Sequence, residues 1–112
     1  MSDCIFCKIL AKEVPSQVVY EDDNVVAIKD IHPQAPVHIV VIPRKHIETL
    51  NAVSDYSLYG DVFRAIVAIT KKLGIQQSGY RVVANCNKDG GQTVFHVHFH
   101  ILGGQALSDK MS

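Results

Sequence analysis

Tryptophan is missing from this 112-residue chain, cysteine occurs only three times, and neither sign of charge is in excess, since eleven Lys and Arg balance eleven Asp and Glu. Each shortage excludes something. A net charge of zero removes the basic field that holds nucleic acid phosphates non-specifically, so no nucleic acid partner is expected. No apolar run nears the ~20 residues that cross a bilayer, so no membrane partner is expected either. Met1-Ser2-Asp3-Cys4 lacks the charged start and apolar stretch of a signal peptide, which points to the cytoplasm. An odd number of cysteines without an export signal favours reduced thiols or metal ligands over a disulfide framework. Repeats, low-complexity tracts and Pro/Gly/Ser linkers are also absent, so residues 1–112 are expected to form a single domain.

What is present is a series of short elements separated by turn residues. Cys4 to Lys12 places Ile5, Phe6 and Ile9 roughly on one side, and Pro15 stops it, which predicts a short N-terminal helix. Gln17 to Glu21 and Val25 to Lys29 are β-rich runs around the turn residues Asp22-Asp23-Asn24 and should pair antiparallel. After the loop punctuated by Pro33 and Pro36, Val37 to Ile42 reads as a third strand ended by Pro43. One long amphipathic helix begins near Ser54 as N-cap, with Tyr59, Val62, Phe63, Ile66, Ile69 and Leu73 at spacings of three and four. Lys71, Lys72 and Gly74 close it. Two more strands, Tyr80 to Cys86 and Val94 to Leu102, flank the loop Asn87-Lys88-Asp89-Gly90-Gly91-Gln92. The order βββαββ with short connections predicts an α+β fold with an antiparallel sheet of about five strands.

Three of the six histidines fall within five residues. His96, His98 and His100 alternate with Phe95, Val97, Phe99 and Ile101. On a strand this puts the imidazoles on one face, each ~6.6 Å from the next, and the apolar side chains on the core face. On a helix both sets would scatter. One half-buried histidine in a sheet needs no comment, but three in register would repel one another if charged, which points to function. Two chemistries can use such a row. One is metal catalysis with imidazole ligands; the other is nucleophilic and acid/base catalysis at phosphorus. No carboxylate lies within several residues of His96 to His100, whereas Gly90-Gly91-Gln92-Thr93 enters the strand with flexible backbone N–H groups suited to an anion. Phosphate therefore fits the central histidines better than metal. His38 interrupts an apolar run, where an unpaired imidazole would cost about 1 to 3 kcal/mol, so it needs a partner. Cys4-Ile5-Phe6-Cys7 is a C-x2-C pair, which is either half of a tetrahedral zinc site or two ordinary buried thiols.

His96-Val97-His98-Phe99-His100-Ile101-Leu102 matches the motif that names the histidine triad (HIT) superfamily. The preceding Asp89-Gly90-Gly91-Gln92-Thr93, the following Gly103-Gly104 and the segment Asp30 to His38 closely resemble its nucleotide-binding, Hint-type branch. The resemblance runs from about Ile5 to Gly104. It implies a HIT domain with one long and one short helix, and a homodimer whose sheets join across the two-fold axis. It implies a hydrolase that cleaves purine nucleoside 5′-phosphoramidates or related nucleotidyl substrates, releasing AMP or GMP. Alternatives within the resemblance are a dinucleotide polyphosphate hydrolase and a nucleotide-binding regulatory module with weak catalysis.

Carried residue by residue, the resemblance makes His98 the nucleophile, His100 a phosphate contact and His38 a histidine behind the site. Asn85, Gly91, Gln92 and Thr93 match positions around the phosphate and leaving group, and Asp30 matches a ribose-binding carboxylate. Ile5, Phe6, Ile9, Ile28 and Ile31 match the apolar slot for the base. Relatives with the cysteine pair complete a structural zinc site with positions matching His46 and His96, so zinc on Cys4, Cys7, His46 and His96 is expected and no catalytic metal is. Thr93 stands where serine is frequent, and the tail Gln105 to Ser112 lacks the tryptophan of many relatives, which leaves the leaving group open.

Overall fold

The computed structural model describes residues 4–109. Met1 to Asp3, which carry the reading of an absent leader, and the last three residues of the tail lie outside the described residues. The elements in chain order are α1 (Ile5–Leu10), β1 (Val18–Glu21), β2 (Val25–Lys29), β3 (Val37–Pro43), a 3-10 turn (Leu50–Ala52), α2 (Ser57–Lys72), β4 (Tyr80–Val83) and β5 (Phe99–Gly103). The strands form one antiparallel sheet in the order β1-β2-β3-β5-β4. No helix among the described residues is long and apolar enough to cross a membrane.

Period-two alternation divides the sheet into two unlike faces. Val25, Ala27, Ile39, Val41, Val97, Phe99 and Ile101 pack against Val62, Ala65, Ile66 and Ile69 of α2 to form the main core. The opposite face carries Val26, Ile28, Val40 and Ile42, covered by Phe6, Ile9 and Leu10 of α1. His38 and His100 fall on that second face, because His38 is two residues from Val40, and Val40 pairs with His100. The histidines are thus held by a sheet whose other side is locked by the long helix.

Several boundaries differ from those expected. The long helix starts at Ser57 and not behind a Ser54 cap; Asp55, one residue further on, accepts at Oδ1 from Ser57 N–H at 3.1 Å and from Ser57 Oγ–H at 2.6 Å, and so closes the turn that leads into the helix. Ser54 instead follows Val53, which is buried beneath the preceding 3-10 turn. Phe63, placed on the core stripe by spacing, is 46% exposed. The last two strands are shorter than Tyr80 to Cys86 and Val94 to Leu102. Val83 is the final residue of β4 to pair, opposite His100. The stretch before Phe99 is bound elsewhere, with Val97 N–H donating to the Ile47 carbonyl at 2.7 Å. The chain bends over Val94 to His96, and this turns Phe95 outward, 46% exposed, instead of into the core.

Candidate active site and metal cluster

The two central histidines are fixed in different tautomers, and main-chain groups decide which. His98 is buried, and its Nδ1 lies 2.7 Å from the His96 carbonyl. A carbonyl only accepts, so His98 carries its proton on Nδ1 and keeps a lone pair on Nε2. His100 is set by a relay. Gln34 N–H donates to His38 Nδ1 at 3.0 Å, so neutral His38 bears its proton on Nε2. That Nε2–H is 2.9 Å from His100 Nδ1, which must accept, and His100 therefore holds its own proton on Nε2. One imidazole offers a nucleophilic lone pair and its neighbour a hydrogen-bond donor, with ring centres 5.1 Å apart.

Burial keeps this arrangement neutral. It pulls His38 and His98 below the usual imidazole range, against an opposing pull from the Asp30 carboxylate. His100 is lowered to about 4 by burial and by the neighbouring imidazoles of His98 and His38, again opposed by Asp30. Asp30 Oδ2 lies 3.4 Å from His38 Nε2, while its Oδ1 accepts from His32 N–H at 2.8 Å. The carboxylate thus closes a local turn and faces the relay at once.

The other residues matched by resemblance are distributed unevenly. Phe6 packs edge-on against His98, ring centres 4.9 Å apart, and shares a cluster with Ile9 and Ile28. Ile5 is 41% and Ile31 84% exposed, so neither belongs to that cluster. Asn85 donates from Nδ2 to the Gly90 carbonyl at 2.6 Å and so braces the loop next to Gly91, whose φ of +80° suits glycine. Gly90 is needed too, since a Cβ there would stand 2.4 Å from the Cys86 carbonyl oxygen. The buried Gln92 amide is engaged by backbone alone: Oε1 accepts from Asn87 N–H, and Nε2 donates to the Glu48 and Val94 carbonyls. It is a strut of the loop. Thr93 is exposed and lines a cleft with Cys4, His46 and Glu48.

His96, the first histidine of the row, is fully buried and turns to a different task. Its Nε2–H donates to the Pro43 carbonyl at 2.7 Å, leaving a lone pair on Nδ1. That atom is 3.4 Å from Cys4 Sγ, 3.6 Å from Cys7 Sγ and 3.2 Å from His46 Nδ1, and Cys7 Sγ is 3.2 Å from His46 Nδ1. All four donor atoms lie within 4.8 Å of one another, a set that can hold a metal ion. Burial and the adjacent Cys4 raise the Cys7 thiol. A second group, Asp30, His38 and His100, is equally close, but hydrogen bonds already occupy both nitrogens of His38 and Nδ1 of His100.

The backbone groups of Gln34, Pro43 and His96 that fix these tautomers were not readable from sequence, because main-chain donors and acceptors carry no residue signature. Only the prolines flanking Gln34 hint at a rigid loop there.

A sheet with a tautomer-sorted histidine row on one face and a long helix on the other defines the class. The chain belongs to the HIT domain family, whose sequence profile matches residues 11–107. It is 43% identical over 112 residues to the purine nucleoside phosphoramidase of Escherichia coli K12, covering 98% of this chain and 94% of that protein. It is 45% identical over 105 residues to protein HitA of Neisseria gonorrhoeae, covering 92% and 97%. Among solved structures, a histidine triad protein from Clostridium difficile matches with a TM-score of 0.96 at 46% identity, covering 98% of this chain and 97% of that one. A HIT family hydrolase from Legionella pneumophila matches with a TM-score of 0.92 at 43% identity, covering 96% and 97%.

Proposed function

We propose that the protein hydrolyses purine nucleoside 5′-phosphoramidates or closely related nucleotidyl substrates, as the name of its Escherichia coli relative suggests. The observation that carries this reading is the pairing of opposite tautomers, a lone pair on His98 Nε2 beside a proton on His100 Nε2. Attack by His98 Nε2 on the phosphorus would break the P–N bond, the nitrogen taking a proton from solvent to leave as the amine, and the nucleotidyl group would remain on His98. Water would then release the nucleoside monophosphate. The Nδ1–H bond to the His96 carbonyl stabilises positive charge as it develops on the attacking ring, and His100 Nε2–H supplies a donor for the phosphate oxygens.

Around this centre, Phe6, Ile9 and Ile28 would form the inner wall of the base slot, and a purine would cover the exposed apolar surface of Ile5 and Ile31. Asp30 would accept from ribose hydroxyls. Gly91 and Thr93 would approach the phosphate or the leaving group from a loop held in shape by Asn85 and Gln92. The committed hydrogen bonds of His38 and His100 support acid/base chemistry over a metal on the triad.

For Cys4, Cys7, His46 and His96 the ion proposed is structural zinc. Zn–N bonds of ~2.0–2.1 Å and Zn–S bonds of ~2.3 Å in a tetrahedron give donor-to-donor edges of about 3.3–3.8 Å. Four of the six distances between these donors, 3.2 to 3.6 Å, already approach that frame, and all six are within 4.8 Å. Zinc would contribute to folding by tying α1 to the end of β3 and the approach to β5. A homodimer joined through the edge strand β4, and a cytoplasmic location consistent with three free cysteines, complete the reading.

Turnover of adenosine 5′-phosphoramidate beside a dinucleotide polyphosphate tests it. Release of AMP from the phosphoramidate at the higher kcat/KM is the expected result. Preference for the polyphosphate, or tight AMP binding with no cleavage, would replace this reading with one of its alternatives.

A further inference from the structure

Cys4 and Cys7 have a feature that metal binding alone does not use. Cys4 lies just outside α1 as its N-cap, in extended conformation (φ −79°, ψ 115°), and Cys7 sits within the first turn, donating its N–H to Cys4 Sγ at 3.3 Å. The two sulfurs are within 4.8 Å of each other. Because Cys4 is outside the helix, its side chain can swing onto Cys7 without unwinding a turn, and residues across one helical turn lie within the Cα range that a disulfide spans. Solvent reaches the pair. A cleft of about 340 Å³, lined by Cys4, Ile5, His46, Glu48, Thr93 and Phe95, opens onto the cluster, and Ile5 and Phe95 at its walls are 41% and 46% exposed.

The anchorage of α1 is also weak. The helix has six residues, none of them buried, and it rests on the sheet through the half-buried Phe6, Ile9 and Leu10. Phe6 is flanked in sequence by the cysteine pair and touches both His96, at 6.0 Å between ring centres, and His98, at 4.9 Å. Whatever loosens the cluster therefore loosens the helix that walls the histidine row.

We propose that Cys4 and Cys7 form a peroxide-sensitive dithiol whose oxidation to an intramolecular disulfide ejects the metal and releases α1 from the sheet. This rests on the zinc reading of the same four residues. Cys4, which lines the cleft, is the sulfur oxidised first. Its thiolate takes the distal oxygen of hydrogen peroxide, the O–O bond breaks, hydroxide leaves, and a sulfenic acid remains on Cys4. The Cys7 thiolate then attacks that sulfur, forming the S–S bond and expelling a second hydroxide. The two sulfurs lose two electrons in total, the peroxide gains them, and two protons from solvent turn the hydroxides into water. Two of the four donors are then lost, and the two imidazoles alone do not retain the ion.

The test uses the full chain carrying Cys86→Ser, which removes the one cysteine outside the pair. Zinc is first titrated into the reduced protein and its binding measured directly. The zinc-loaded protein is then exposed to hydrogen peroxide while free thiols, zinc captured by a chromogenic chelator, and amide hydrogen exchange in α1 are followed. Two thiols lost and one zinc released per chain at matching rates, a Cys4–Cys7 linked peptide, and faster exchange in α1 are expected, all reversed by a thiol reductant with added zinc. Retention of zinc and thiols, or oxidation without the Cys4–Cys7 link, would overturn the switch while leaving the zinc reading intact. A reduced protein that takes up no zinc would overturn both.

Discussion

His38 Nε2 stands 2.9 Å from His100 Nδ1, and the proton between them belongs to His38, because Gln34 N–H already occupies the other nitrogen of that ring. The consequence is a fixed donor on His100. Replacing His38 by Ala removes the group that selects this tautomer and leaves the half-buried Nδ1 acceptor of His100 unpaired, at about 1–3 kcal/mol. If that loss falls on the transition state, kcat drops roughly 5- to 150-fold. His38→Gln, which can place an amide N–H near the position of the lost Nε2–H, should recover most of the activity. Equal kcat values for the Ala and Gln variants would show that His38 does not act by tautomer selection.

Stability should respond to acid in a defined direction. His100 is lowered from its ordinary 6.5 to about 4, so the unfolded chain binds the proton more tightly than the folded one between these values. The contribution is fully present above about pH 6.5 and is lost as pH falls toward 4; His38 and His98, also lowered, add to it in the same sense. Urea midpoints measured from pH 8 to pH 4 should be flat at first and then decline, with a shallower decline in His100→Asn. A midpoint that rises on acidification would contradict the neutral, buried triad.

Gly60 lies in the fourth residue of α2, and an added Cβ would meet nothing within 4 Å. Gly60→Ala should therefore stabilise the protein by about 0.5–1 kcal/mol, through helix propensity and a less flexible unfolded chain. Thermal or denaturant unfolding reads this directly.

Exposed apolar residues on α2 and an open sheet edge at β4 predict self-association. Phe63 and Val67, one turn apart on α2, are 46% and 54% exposed, Tyr80 on the edge strand is 37% exposed, and β4 is paired on one side only. Light scattering at micromolar concentration should give twice the mass of one chain, and Phe63→Glu with Val67→Glu should halve it. A wild-type mass of one chain would exclude the dimer.

Much of the fold was legible because two periodicities were clean. Val25 to Lys29 and Val37 to Ile42 became β2 and β3 almost residue for residue, and the spacing from Val62 to Ile69 gave the buried stripe of α2. The division between His98 and His100 on one face and Val97, Phe99 and Ile101 on the other also followed from alternation. What alternation could not give was the partner of each strand residue. The backbone of Val97 bonds Ile47 and the ring of His96 bonds Pro43, so the row joins the ladder only at Phe99, and Phe95 turns to solvent. The C-x2-C pair was visible, but the link to His46 came from family resemblance, since nothing local connects residues 39 positions apart. Gln92 matched a position around the phosphate by family resemblance; the backbone partners of its side-chain amide, Asn87, Glu48 and Val94, are groups that only the folded loop brings near.

The central claim is that His98 attacks phosphorus and carries the nucleotidyl group. Rapid quenching of the enzyme with an adenosine phosphoramidate labelled at phosphorus tests this most directly, followed by mapping of the labelled peptide. The wild-type protein should carry acid-labile label on His98 within the first turnover, whereas His98→Ala should bind AMP with nearly unchanged affinity, take up no label and turn over no substrate. Turnover by His98→Ala at the wild-type rate, or label on another residue, would contradict it.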